Sequence, residues 1–346
     1  MTTLTQAKPA ARNLTIARAM VDAIASEMRS DPSVFVMGED IGIHGSVYGT
    51  TTGLIDEFGA ERIRDTPISE AGFISAAVGA AAVGMRPIVE LMFVDFIGVC
   101  LNSVYNLAAK QSYFSGGNVT CPMVLMTSVG GGYSDAGQHS QTLYALFAHL
   151  PGLKVVIPSN AYDAKGLMTA AIRDNNPVIF LFHKAIQGLG WLAPRDAAVR
   201  AVPEEAYEIP IGTAAIAREG KDITIVGFGL GVHQAIDAAD ELTGDGIDCE
   251  VLDLRTLAPI DVPALLASVR KTGRLVVVDD DYSSCGVCAE VIALCSEGAW
   301  DALKAPPARV AHPNIPIPFA RSLEEAVLPD TAKIIAAVRQ QMKETK

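Results

Sequence analysis

The sequence predicts an α/β protein with two parallel-sheet domains. Three observations carry that prediction. Short β-branched runs alternate with helix-length patterns along most of the 346 residues, and strands separated by helices form parallel sheets covered on both faces. The alternation stops once, over 184–211, where Gly, Pro and irregular spacing replace it, and then resumes. The length also exceeds what one small core fills.

Residues 1–13 are polar and expected to be loose. The first domain, 14–183, places strands at 34–37, 87–93, 123–127, 154–157 and 178–182, each a run rich in β-branched or aromatic residues. Helical spacing fills the gaps at 75–83, 99–111 and 161–173. Residues 184–211 read as the linker. The second domain, 212–346, repeats the scheme with strands at 223–226, 249–252 and 275–278 and helices near 232–242, 262–270 and 286–297. The stretch SLEEAVLPDTAKIIAAVRQQM reads as one closing helix.

Half of the residues are hydrophobic and 19% are charged, enough apolar surface for a sizeable core. A formal net charge of −12 repels nucleic acid and anionic membranes and leaves room for a basic protein partner. The opening MTTLTQAKPAARN lacks the apolar centre of a signal peptide. The most apolar stretch, 71–85, is shorter than the ~20 residues of a membrane span. A cytoplasmic chain is expected. Most of the six cysteines sit among apolar residues, as reduced thiols do. Cys285-Gly-Val-Cys288 has the spacing of a redox pair but lacks the thioredoxin context of a first strand feeding a helix at the motif, and reads as two thiols near a helix start.

Ligands of open parallel sheets bind beyond the carboxyl ends of the strands. That edge collects GED (38–40), VDF (94–96) and VGGGYSDAGQHSQ (129–141). Glu70 joins them, at the mouth of the small apolar segment. A carboxylate in a first helical turn complements the dipole. A segment this rich in Gly and Ala suits burial, however, and a carboxylate walled by Ile68 and Phe73 would be desolvated, a setting that tunes acids and bases. His139, on a glycine-rich loop at the same edge, is placed to handle protons, although a lone His is more often structural. Phe96 is either core or a stacking platform for a flat heteroaromatic ring.

Other signals lead nowhere. Gly227-Phe-Gly229-Leu-Gly231 follows a strand, but the third glycine of a dinucleotide fingerprint would fall at Val232. A nicotinamide-dependent oxidoreductase is therefore the weaker reading. Gly244-Asp245-Gly246 begins like the diphosphate motif GDG…NN, but no paired asparagines follow at the required distance, so it reads as a turn.

Taken together, GEDIG (38–42), RIRDTPISEAGF (62–73), AAVGMRPIVELMFVDF (81–96), GQHSQ (137–141), PGLKVVIPSNAYDAKGL (151–167) and AIRDNNPVIF (171–180) resemble the β subunit of E1 components of 2-oxo acid dehydrogenase-type complexes. EVLDLRTLAPID (250–261) resembles that family's transketolase C-terminal domain. The stretches 90–110 and 143–156 look most like the acetoin dehydrogenase branch.

The resemblance implies a thiamine diphosphate pyrimidine-binding domain followed by a transketolase C-terminal domain. It implies an α2β2 heterotetramer in which the α subunit carries GDG…NN and holds Mg²⁺ and the diphosphate. Glu70 matches the glutamate that hydrogen-bonds the pyrimidine N1′. Phe96 matches the stacking aromatic residue. Ile68 and Glu39 match pocket positions, and His139 matches a histidine near the reacting carbon. Backbone carbonyls of Met123, Ala171, Ile172, Asp174 and Asn176 match positions that hold K⁺ in relatives. The implied reaction is oxidative cleavage of acetoin with acetyl transfer to an E2 lipoyl arm. Decarboxylation of pyruvate or a branched-chain 2-oxo acid is the alternative, and a non-catalytic assembly subunit is the reading from another class. Asp279-Asp280-Asp281 and Glu324-Glu325 are expected to face a basic binding domain of E2. The loops GGGYSDA (130–136) and HKAIQGLG (183–190) depart from the family pattern and bear on substrate choice.

Overall fold

The structure, a computed structural model, describes residues 12–188 and 195–344. Most of the expected loose N-terminus and the end of the 183–190 loop therefore lie outside the described residues.

The first sheet comprises β2 (Val34–Gly38), β3 (Ile63–Asp65), β4 (Arg86–Phe93), β5 (Val124–Val129), β6 (Lys154–Val156), β7 (Val178–His183) and β12 (Thr256–Ala258). Its order is β12-β6-β7-β5-β4-β2-β3, parallel except for the β12 edge. The second sheet comprises β9 (Ala215–Arg218), β10 (Ile223–Gly227), β11 (Cys249–Asp253), β13 (Leu275–Tyr282) and β14 (Ala308–His312). Its order is β14-β13-β10-β11-β9, with β9 antiparallel. Residues expected to be loose or linking form a third, small sheet: β1 (Arg12–Leu14) pairs antiparallel with β8 (Arg200–Val202).

The period of two along each strand decides where the cores lie. In β7, Val178, Phe180 and Phe182 point into one cluster, and Ile179 and Leu181 into another. The first cluster is covered by the Ile16–Ser30 and Ala161–Arg173 helices, which pack on each other. The second is shared: Val155, Ile157 and Leu181 from the first sheet meet Val226, Leu252, Leu254 and Val277 from the second half. A third cluster lies on the far face of the second sheet.

Three expectations need correction. The closing helix is two helices, Arg321–Val327 and Thr331–Lys343; Pro329 supplies no N–H to continue the first. The helix expected over 99–111 is Ile97–Asn102, then a π-helical segment Ser103–Ala108, then Gln111–Phe114. The carboxylates expected to face E2 are mostly inside. Asp279 accepts hydrogen bonds from Tyr144 Oη and from the Cys288 and Asp281 amides. Asp280 pairs with His183 at 2.7 Å, and Asp281 accepts from the Ala145 and Tyr282 amides. Glu324 is fully buried, and of that group only Glu325 is exposed. Acidic side chains in a row read as a solvated face, but here backbone amides, Tyr144 and His183 satisfy the three aspartates.

The glycines of 227–231 make a tight turn, where a Cβ on Gly227 would meet the Gly231 carbonyl carbon at 2.9 Å. Gly246 ends a surface 3₁₀ turn at φ 76°. Among the described residues no helix is long and apolar enough to cross a membrane. All six cysteines are free thiols; Cys285 is exposed and Cys288 buried in the first turn of the Val287–Ala299 helix.

Candidate active site

Three strand ends lie side by side. Gly38 of β2 is in register with Glu90 of β4, and Phe93 of β4 with Ser128 of β5. Glu39 thus leaves β2 at the level of Leu91, short of the Val94–Phe96 turn that follows β4, and the 130–139 loop leaves β5 at the level of that turn. The approach at Gly38 is close: a Cβ there would meet the Glu90 carbonyl oxygen at 2.8 Å.

An aromatic group occupies this edge. Phe93 meets Phe96 edge-on at 5.4 Å and His139 edge-on at 4.8 Å, and Phe96 meets His139 at 5.4 Å. All three rings are half-buried. Buried Tyr48 packs on Phe93 from behind at 5.8 Å.

Carboxylates supply the electrostatics. Glu70 is the first residue of the Glu70–Ala82 helix. Burial, then the charges of Glu70 and Asp40, raise the Glu39 carboxyl above its usual range. Burial and the same Glu70 charge push the Cys100 thiol up to about 12. Glu39, Glu70 and Cys100 therefore share one electrostatic neighbourhood. Asp95 Oδ1 accepts from the amide and side chain of Gln141, which fixes the segment after His139.

Ile68 is not where the sequence reading puts it. It is 84% exposed and walls nothing in the single chain. The helix behind Glu70 is likewise only half buried: Phe73, Ile74, Ala77, Val78 and Ala81 pack inward, while Ala71, Gly72, Ala76, Gly79 and Ala82 face solvent. One chain has no second surface to place against that face.

The chain resembles known proteins over nearly its full length. Residues 12–187 match the model of the transketolase pyrimidine binding domain, and residues 212–334 match that of the transketolase C-terminal domain. Acetoin:2,6-dichlorophenolindophenol oxidoreductase subunit beta of Cupriavidus necator is 48% identical over 96% of this chain and 98% of its own. The chain belongs to the transketolase-like family of E1 component β subunits. Pyruvate dehydrogenase E1 component subunit beta of Rhizobium meliloti is 44% identical over 94% of this chain and 69% of its own. 2-Oxoisovalerate dehydrogenase subunit beta of Bacillus subtilis is 43% identical over 92% and 95%. A solved structure described as split gene transketolase, inactive beta4 tetramer, shares the fold: TM-score 0.76, 22% identity, 97% of this chain and 100% of that one.

The family's enzymes use thiamine diphosphate and are built from more than one kind of subunit. In this member several residues at the edge escaped the sequence reading. Glu90 is enclosed within β4 and accepts from Ser46 Oγ at 2.5 Å and from Thr50 Oγ1, which ties the 39–52 loop down. Burial pushes its carboxyl up to about 7, and the two hydroxyl donors act in the opposite sense. Lys184 is buried beneath the His139 loop. A nearly continuous apolar strand hides the first, and a Lys just past a strand end ordinarily reads as exposed.

The five carbonyls matched to K⁺ positions already have partners in part. Met123 O accepts from the Val178 amide at 2.9 Å. Arg86 Nη1 donates to Ile172 O at 2.9 Å and to Asp174 O at 3.0 Å. Among the described residues no group of three or more His, Cys, Asp or Glu is placed to hold a metal ion.

Proposed function

We propose that this chain is the β half of a thiamine diphosphate-dependent E1 enzyme that cleaves acetoin to acetaldehyde and transfers an acetyl group to the lipoyl arm of an E2 acyltransferase. It works with an α subunit as α2β2. The observation that carries the reading is the pairing of Glu39 with Glu70 and of Phe96 with His139, linked through Cys100, whose thiol feels the Glu70 charge and donates to the Phe96 carbonyl. The chemical fit supports it. Glu39 Oε1 and Asp95 Oδ2 are buried acceptors without protein partners, and an aminopyrimidine presents N–H donors beside a flat ring face.

When bound, the cofactor supplies a nucleophilic carbon and an electron sink for carbon–carbon cleavage. Glu70 shares a proton at the pyrimidine N1′, general acid–base work for which a half-buried carboxylate is suited. Phe96 offers its ring for stacking. Glu39 accepts from the ring's amino edge. His139 holds and moves the proton at the reacting carbon. Ile68 becomes a pocket wall when the α subunit covers it, and the open Ala/Gly face of the Glu70–Ala82 helix lies against that partner. Mg²⁺ and the diphosphate belong to α. A K⁺ ion at the five carbonyls would share Ile172 and Asp174 with Arg86.

Pyruvate or a branched-chain 2-oxo acid is the second reading, favoured by relatives of 44% and 43% identity that carry those names. The deciding test is turnover of acetoin against pyruvate and 3-methyl-2-oxobutanoate by the co-expressed α–β pair, with thiamine diphosphate and Mg²⁺. Acetoin preferred by the pair, with no turnover by β alone, is the expected result. A 2-oxo acid preferred moves the substrate, and activity of β alone sinks the half-site.

A further inference from the structure

Two side chains outside the proposed catalytic set converge on the loop that carries His139. The loop runs from Gly130 to His139, and Ser134 and Ala136 both adopt the left-handed region, at φ 58° and 61°. Residues with a Cβ hold that conformation only where their surroundings over-determine it. From one side, Lys184 Nζ donates to Asp135 Oδ2 at 2.9 Å and to the His139 carbonyl at 2.5 Å. The Lys184 side chain is 1% exposed, and its ammonium lies 5.4 Å from the centroid of Phe93, the ring on which His139 stands. From the other side, Glu324 of the C-terminal half accepts from the Gly132 amide at 2.7 Å and the Ser134 amide at 2.9 Å. Buried charges persist only where they are paired or fully hydrogen-bonded. Here both direct their bonds to a single loop.

We propose that Lys184 and Glu324 are positioning residues that together clamp the 130–139 loop and so set His139 over the reacting carbon. The C-terminal half of the chain thereby reaches the catalytic edge. What His139 does there rests on the E1 reading above; the clamp itself does not.

The test uses the α–β complex carrying K184M, K184R or E324Q, with E325Q as an exposed control. Exchange of the 130–140 amides and steady-state turnover are measured on each. In K184M and E324Q, exchange should rise at least about tenfold while the rest of the chain keeps its protection. In both, kcat should fall about 10²-fold, the scale of an ångström-level misplacement, with KM moving less than about threefold and the pH profile of kcat displaced. K184R, which keeps the charge, should recover most of the protection, and E325Q should match wild type. Unchanged exchange in both K184M and E324Q overturns the clamp, whether or not the complex turns over. Raised exchange with an unchanged kcat and pH profile in an active complex overturns the positioning role. A wild-type complex without thiamine-dependent turnover overturns the E1 reading and His139's role with it, while exchange still decides the clamp. If K184M does not fold, E324Q carries both readouts, and unchanged exchange in E324Q alone then overturns the clamp.

Discussion

Glu70 stands at the start of its helix with one flank closed by its own chain and the other open. Its proposed task is proton sharing at a ring nitrogen. Glu70→Ala should therefore lower kcat of the α–β complex by about 10²–10⁴-fold, with assembly intact by sedimentation. Undiminished turnover would leave only an assembly role for this chain. Glu90 gives a different test. Its folded pKa, about 7, lies above the unfolded value of about 4.3. Its contribution to stability is thus fully present below about pH 4 and is lost as pH rises through 7. Thermal melts from pH 5 to 8 should fall less steeply for Glu90→Gln than for wild type; parallel curves would mean that Glu90 titrates normally. The candidate residues Glu70, Phe96 and His139 were legible because strand-end logic and local motif agree there. Lys184 and Glu324 were not, since their burial depends on contacts from distant parts of the chain, and Ile68 misled because apolar character does not say which chain covers it.

At the level of elements, the Glu70–Ala82 helix pairs a core-forming face with one that the single chain leaves open. Its inward face holds the core, and its outward face is Ala and Gly. Ala76→Arg should leave the melting temperature of β within about a degree or two, as exposed substitutions usually do. It should weaken association with α by tenfold or more, read by titrated sedimentation; unchanged affinity would place the α contact elsewhere. The central strands were legible from composition, because burial on both faces makes β4, β5, β7, β10 and β13 nearly continuous apolar runs. Among the three-residue strands, β6 runs on into Ile157 as a β-branched stretch, whereas β1, β3, β8 and β12 carry too few such residues for a pattern. The Ile16–Ser30 helix was overlooked although its buried positions Ile16, Met20, Ala23, Ile24 and Met28 keep helical spacing.

Across the whole molecule the two halves are joined by buried polar contacts as well as by the shared core. Tyr144 donates to Asp279 and accepts from the Asp280 amide, across the join. Burial, with the charge of Asp281 adding to it, pushes the Asp279 carboxyl up to about 6. Tyr144→Phe leaves that carboxylate without its hydroxyl donor and should cost about 1–3 kcal/mol, a drop of several degrees in a single unfolding transition. Two separated transitions would show that the halves melt independently.

β12 comes from the second half of the sequence yet lies along β6, with Thr256 opposite Val156 and Ala258 opposite Val155. A gene cut at the linker would yield a first fragment whose sheet ends in a bare β6, with unpaired amides and carbonyls beside an uncovered apolar layer. Such an edge recruits strands from other molecules. The fragments should therefore be insoluble when made apart and recoverable when made together, and any fusion or permutation of this subunit has to keep β12 within reach of its neighbour.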